Sequence, residues 1–420
     1  MSVHAPDERR RSSGPGGRST APGVSAVLVA MLALLSFVLP LATDMYLPAF
    51  PRMTAELATS ASGVQLTLTA FMVGLTLGQL VFGPASDRYG RRGLLLGGTA
   101  TATLATAACA LAPTLEWLVA LRFVQGFSAA AGLVIARAVV SDVSSGRDAA
   151  RLFSIVVACA GVAPIAAPLA GGALVGAGGW RTVFWALTAA TALMFAGVLR
   201  AVPETLPKER RRRKGRRKGG PKQVSPVLAV ARDGPYLGYT LAFAWSYAAL
   251  FAYIGGSSFF YQNVLGLSVA QNSLAFAAAA ATVSGVNALN SALVNRFRPE
   301  ALLRVGLLAM LAGTAALIAV MASGRLGVLV ALVLTEVFFA GLGLVVPNAT
   351  ALALARVPES AGAGSAVLGT LQTGLAALVA PFIGVAGDAT AMPMVLGMTA
   401  CSVLAGLALR LSARTARAAE

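Results

Sequence analysis

The sequence predicts an all-α integral membrane protein with 12 transmembrane helices in two pseudo-symmetric halves of six. Three observations carry that expectation. The 420 residues are 57% hydrophobic and only 12% charged, whereas ordinary soluble domains carry about 25% charged residues. The apolar residues fall into runs of membrane length, each near the ~20 residues that a spanning helix needs. Of the 33 lysines and arginines, all but four fall on one side of those runs.

Taken in order, residues 1–23 are polar and rich in Arg, Gly, Ser and Pro, a composition that predicts a disordered cytoplasmic tail. The apolar run from Val24 past Pro40 is too long for a signal-peptide core and reads as a retained first helix. An N-terminal six-helix bundle over 24–203 has spans at 24–50, 63–83, 93–113, 115–138, 150–176 and 180–201. A basic cytoplasmic linker follows at 204–235. A C-terminal six-helix bundle over 236–412 has spans at 236–260, 268–294, 301–321, 325–348, 361–387 and 390–412, and a cytoplasmic tail closes the chain at 413–420. Prolines inside the runs (Pro40, Pro48, Pro164, Pro168, Pro347) are compatible with membrane helices, because neighbouring groups satisfy the freed backbone atoms. With both termini cytoplasmic, only Arg52, Arg181 and Arg325 face outward and Arg122 lies within a span. Six spans, a linker and six spans form the layout of a parallel repeat with nested inverted repeats. Asn295-Arg296-Phe297-Arg298 follows span eight as Asp87-Arg88 follows span two, without the glycines of the first copy.

The net charge of +17 invites a nucleic-acid partner, but the charge lies in connectors rather than on a folded basic face. Between Pro203 and Lys222 stand ten Lys or Arg against two Glu. Such a stretch can touch anionic lipid or simply anchor the topology. Cys109, Cys159 and Cys401 lie in apolar runs, which argues against a disulfide framework or a metal cluster. The single histidine, His4, is in the polar tail, so proton chemistry rests on carboxylates. No phosphate-binding Gly-x-x-x-x-Gly-Lys-Ser/Thr loop, Gly-x-Ser-x-Gly elbow or metal-ligand spacing occurs, so neither an enzyme, nor a cofactor, nor ATP-driven pumping is expected.

Charges within spans cost at least about 2.5–3.5 kcal/mol on insertion scales and are functional hypotheses by default. Asp44, in Leu41-Ala42-Thr43-Asp44-Met45-Tyr46, falls in the outer half of span one, or at its surface end. Arg122 has Gln125 and Gly126 three and four residues on, so one face carries a guanidinium, an amide and bare backbone. It is either a coupling group or a structural ion-pair partner. Glu336 sits midway along an apolar run with no basic neighbour, as a proton site, a substrate-cation anchor or a neutral structural acid. The stretch Gly161–Gly172 is dense in small residues and prolines, which permits bending and close helix contact. Span seven is rich in aromatics. Trp245, Tyr247, Phe251 and Tyr253, with Tyr46 from span one, are candidates to line a cavity for an amphipathic ligand, and the aromatics near 259–261 fit a cavity or an interfacial belt.

Between spans two and three lies Gly83-Pro84-Ala85-Ser86-Asp87-Arg88-Tyr89-Gly90-Arg91-Arg92, a tight, arginine-dense connector. It resembles the signature loop of the major facilitator superfamily. With Thr43–Pro51, Arg122–Gly126, Pro164–Gly172, Phe251–Ser257 and Gly343–Leu352, the chain is similar more narrowly to the bicyclomycin/chloramphenicol-resistance (Bcr/CflA) branch of drug/proton antiporters. The resemblance implies that Asp44 is a proton or substrate site and Arg122 an arginine tied to proton coupling. It implies a gate formed by Asp87, Arg88 and Arg91, and an antiporter motif containing Pro168, Gly171 and Gly172. Ala167 departs from that motif, which usually has glycine there, and Glu336 lies outside the signature. The function so implied is proton-coupled export of amphipathic small molecules, phenicol- or bicyclomycin-like antibiotics among them, by a monomer in the bacterial cytoplasmic membrane. A proton symporter of a nutrient or metabolite is the alternative on the same fold. The partners expected are the small-molecule substrate, protons and the lipid bilayer.

Overall fold

The computed structural model describes residues 26–144, 146–206, 230, 232–384, 387 and 390–418. The expected N-terminal tail at 1–23 and the basic stretch from Lys208 to Lys222 lie outside the described residues. Among the described residues, 12 helices are long and apolar enough to cross a membrane, so the chain is a multi-pass membrane protein.

The first span is broken. Helix α1 (Ala26–Asp44) gives way to a short 3-10 turn (Leu47–Ala49) and a helix α2 (Phe50–Glu56), with prolines at the starts of both later pieces. Proline lacks the amide hydrogen that a continuing helix requires. The first half is completed by α3 (Ala61–Tyr89), α4 (Arg91–Ala110), α5 (Leu115–Val143), α6 (Gly146–Gly178) and α7 (Trp180–Ala201). The Ser60 side chain starts α3 by accepting from the Gly63 amide.

In the second half, Asp233 caps α8 (Gly234–Phe259), which runs on through a π turn (Phe260–Val264). A reciprocal Ser268–Gln271 capping box opens α9 (Val269–Leu293). Then come α10 (Pro299–Ala322), α11 (Val328–Arg356), α12 (Ala361–Val379) with a 3-10 extension (Ala380–Gly384), and α13 (Met392–Ala418).

Two expectations from apolar windows shift. The connector at 83–92 is not a loop: α3 continues through Asp87 and Arg88 to Tyr89, and only Gly90 breaks the chain, at φ 106°. Gly90 can hold that angle because it has no Cβ. Likewise α13 carries on to Ala418, through most of the expected tail. In both places a helix outlasts its apolar stretch, since backbone hydrogen bonding continues where hydropathy stops.

Within the first half α3 packs on α5, α4 on α5, and α1 on α6. Within the second α8 packs on α13 and α12, and α10 on α11. The halves meet along two seams, α6 against α9 and α3 against α12. Leu77, Leu193, Leu308 and Leu329 point outward, as side chains facing acyl chains do. The end of the molecule carrying Asp87–Arg92 is called the loop end, and the opposite end, beyond Asp44, the far end.

Candidate functional site

A cavity of about 450 Å³ lies between the halves. Asp44, the last residue of α1, reaches it at the point where the first span breaks. Thr43 is its side-chain hydrogen-bonding neighbour. Across the cavity, the Tyr247 hydroxyl of α8 is hydrogen-bonded with Gln372 of α12. Met72, Leu75, Phe251 and Phe276 supply apolar wall, and Gln79 a second amide on the first-half side. The site therefore offers one carboxyl group, a few hydrogen-bonding groups and a broad apolar surface, which suits an amphipathic small molecule.

At the far end the halves are tied across the cavity. Gln65 Nε2 donates to the Gly255 carbonyl (2.9 Å), Ser258 Oγ to the Leu47 carbonyl (2.7 Å) and Gln262 Nε2 to the Pro48 carbonyl (2.9 Å). The last two of these bonds use the Leu47 and Pro48 carbonyls of the proline-rich break in the first span. Nearer the middle, Thr76 and Thr373 join α3 to α12 at 2.8 Å.

Arg122 forms a separate centre inside the first half. It is fully buried, donates from Nη1 to the Ala42 carbonyl (3.0 Å) and to Gln125 Oε1 (2.6 Å), and Gln125 donates on to Thr106 (2.8 Å). Its guanidinium lies 4.4 Å from the ring centres of both Tyr46 and Phe71. Aromatic faces stabilise a desolvated cation through their quadrupoles. Arg122 and Asp44 form no ion pair. Residues two apart on a helix point about 200° apart, so the Ala42 carbonyl and the Asp44 carboxyl address different neighbours. Tyr46, a candidate for the cavity wall, instead packs on Arg122 and hydrogen-bonds Thr67 (3.1 Å).

Two further expectations are corrected. Of the span-seven aromatics, Tyr247 and Phe251 line the cavity, while Trp245 and Tyr253 do not. Tyr253 instead packs edge to face with Phe339 and at a tilt against Phe276. Glu336 also stands apart, between α11 and α9, with Thr282 as its hydrogen-bonding neighbour and Oε2 buried without a protein partner. Of the small-residue stretch in α6, Pro164 lines the cavity and Pro168, Gly171 and Gly172 are buried in its packing.

At the loop end Arg91 is a hub. It bonds Asp87 (2.8 Å), Ser86 (2.6 Å) and, on α5, Asp142 (3.1 Å). The Glu204 carboxylate accepts from the backbone amides of Arg91 (2.9 Å) and Arg92 (3.3 Å), and so caps the start of α4. Arg88 takes no part in this hub and rests on the Tyr89 ring at 5.2 Å. Glu204→Gln is expected to lower stability by about 1 kcal/mol, the scale of an exposed charge at a helix start. A thermal melt of the purified protein in detergent measures it, with an unchanged midpoint as the contrary result.

Sequence reading passed over Asp142, Glu204, Arg137, Gln79, Asn287 and Gln372. The two glutamines were accessible to it: a lone amide in an apolar run is itself a signal. Arg137 was counted only as a topological charge.

Residues 32–381 match the family described as Major Facilitator Superfamily. An uncharacterized MFS-type transporter, YdgK of Bacillus subtilis (strain 168), is 37% identical over 91% of this chain and 94% of its own length. A bicyclomycin resistance protein homolog of Haemophilus influenzae is 30% identical over 91% of this chain and 95% of its own. Among solved structures, a bacterial homolog of the human lysosomal transporter Spinster superposes with a TM-score of 0.73 at 16% identity, covering 93% of this chain and 96% of that one. That last likeness concerns the fold.

Proposed function

The chain belongs to the Major Facilitator Superfamily of membrane transporters, and from that premise we propose that it is a proton-coupled antiporter exporting amphipathic small molecules, phenicol- or bicyclomycin-like antibiotics among them. The observation that carries the reading is the cavity between the halves, apolar over most of its wall, with Asp44 toward its far end as the one carboxyl among the described lining residues. The bicyclomycin-resistance relative supports the substrate class.

In this reading both termini are cytoplasmic, the membrane is the bacterial cytoplasmic membrane, and the loop end faces the cytoplasm. The far-end bonds close the outer side and substrate enters from within. Its polar part meets Asp44, Tyr247 and Gln372, and its apolar body meets Met72, Phe251 and Phe276. The halves rock about the α3–α12 and α6–α9 seams until the far end opens. A proton then takes Asp44, removes the charge that held the substrate's polar part, and is carried inward on the return. Each charge moved inward contributes about 2.3 kcal/mol per 100 mV of membrane potential. The cavity is complete within one chain, which supports a monomer as the working unit.

Everted membrane vesicles holding a preset proton gradient test this. Adding a phenicol or bicyclomycin is expected to discharge part of the gradient, in proportion to the amount of protein. Accumulation of a nutrient by intact cells, with no substrate-driven proton movement in vesicles, would replace export with symport.

A further inference from the structure

A second hollow, of about 410 Å³, lies on the lipid side of the seam between α3 and α12. Val73 and Leu77 of α3, Gly374 and Leu378 of α12 and Phe382 of its 3-10 extension form much of its wall, and no charged residue lines it among the described residues. Val73, Leu77, Leu378 and Phe382 are exposed, so the hollow opens toward acyl chains. It lies about midway along α3 and toward the far end of α12. The substrate cavity lies on the other side of the same two helices, against Met72, Leu75 and Gln79 of α3 and Gly369, Gln372 and Thr373 of α12.

The partition between the two spaces carries one polar pair. Thr76 lines the hollow, Thr373 lines the cavity, and their hydroxyls meet at 2.8 Å. Each hydroxyl has a second partner in its own helix. Thr76 reaches the Met72 carbonyl at 2.8 Å, and Thr373 donates to the Gly369 carbonyl at 3.1 Å. Parting the two helices therefore leaves neither hydroxyl unbonded, which removes the penalty that breaking a buried polar pair otherwise carries. The partition is also thin. A Cβ on Gly374 would meet nothing within 4 Å, and one on Gly369 only the Gln79 amide oxygen, at 3.6 Å.

We propose that this hollow is a lateral entry site, where an uncharged lipophilic substrate already dissolved in the bilayer docks and then passes into the cavity between Thr76 and Thr373. The proposal rests on the reading of the cavity as the substrate site. Size, wall chemistry and position select the occupant. The volume suits a compact drug-sized molecule. A wall without charge gives a cation no partner, so a charged molecule is left with the aqueous mouth at the loop end. A molecule that partitions into the membrane is concentrated at the hollow, one polar pair away from the cavity.

The test is stopped-flow binding to the purified full-length protein in nanodiscs. Nile red serves as an uncharged lipophilic probe and thiamphenicol as an uncharged water-soluble one. Gly374→Leu fills the hollow and is expected to slow association and dissociation of Nile red alike, by about fivefold or more, leaving its Kd unchanged. Thiamphenicol, entering at the loop end, is expected to move less than about twofold. Thr76→Val keeps the shape of the side chain and removes its bond to Thr373, and is expected to speed Nile red in both directions. Gly406→Leu adds the same bulk on α13, where a Cβ also meets nothing within 4 Å, and is expected to bind both probes as the wild type does. Nile red rates unchanged in Gly374→Leu, as an acyl chain resting in the hollow would give, overturn the entry site. So does equal slowing of both probes, which would report a stiffened seam, and so does absence of Nile red binding by the wild type. Phe251→Ala, in the cavity wall, is expected to weaken both probes; unchanged affinity for both would remove the cavity as the substrate site, and the route with it. Loss of substrate-driven proton movement in everted vesicles would sink the antiporter reading while leaving these rates measurable.

Discussion

Asp44→Asn is expected to abolish proton-driven export while leaving the protein folded in the membrane. Asparagine keeps the shape of the side chain and its capacity to bond Thr43, so the end of α1 has no steric reason to move. What it loses is the ability to exchange a proton. In the proposed cycle the carboxyl alternates between a charged form that holds the polar part of the substrate and a neutral form that releases it. Asparagine is fixed in the neutral form. Resistance of an efflux-deficient host should therefore fall to the level of the host without the protein, and substrate should no longer discharge a proton gradient in everted vesicles. Exchange of labelled for unlabelled substrate, which needs the charged form to hold it, should fall as well. Full resistance in Asp44→Asn, with expression confirmed, would remove Asp44 from the mechanism and pass the role to Glu336, which lies inside a span. The separation of Asp44 from Arg122 sharpens the test. Since Arg122 is held by the Ala42 carbonyl, Gln125 and two aromatic rings, neutralising Asp44 breaks no ion pair, and a structural collapse is not the expected result.

The all-helical architecture was legible because the bilayer imposes length and apolarity on every span. The same physics explains what was not legible. Hydropathy marks where a helix enters and leaves hydrocarbon, so it stopped at Gly83 and missed the further turns of α3 that carry Asp87 and Arg88. It also carries no rotational information in helices apolar on all sides. Tyr46, Trp245, Tyr247, Phe251 and Tyr253 look alike in the sequence, yet only Tyr247 and Phe251 reach the cavity. Asp44, Arg122 and Glu336 were found because an intramembrane charge is costly enough to stand out. Their mutual arrangement was not: the Ala42 carbonyl that accepts from Arg122 leaves no trace in residue type. Glu204 escaped for a related reason. It caps α4 from across a break of more than a hundred residues, and capping patterns are read only between neighbours in sequence.

The paired glycines of α6 give the second large expected effect, and they separate packing from motion. Both are buried, but a Cβ on each would meet a different part of the molecule. At Gly171 it would overlap the Met45 carbonyl, in the first half's own broken span, directly after Asp44. At Gly172 it would overlap the Ser273 hydroxyl on α9, in the second half. Backbone yields poorly and a serine side chain yields readily. Gly171→Ala is therefore expected to cost about 2–3 kcal/mol, the upper range for overpacking, and to displace Asp44, with lower yield, a lower melting temperature and loss of export together. Gly172→Ala is expected to fold at near wild-type stability but to disfavour the arrangement described here, because the added methyl meets Ser273 of α9 across the seam between the halves. Distances between spin labels on the far ends of the two halves should lengthen in Gly172→Ala. Removing the clashing side chain tests the assignment: Ser273→Gly should restore both distances and transport in Gly172→Ala, and should do nothing for Gly171→Ala. Rescue of both, or of neither, would mean that the two glycines do not divide the work between the fold of one half and the rocking of the two.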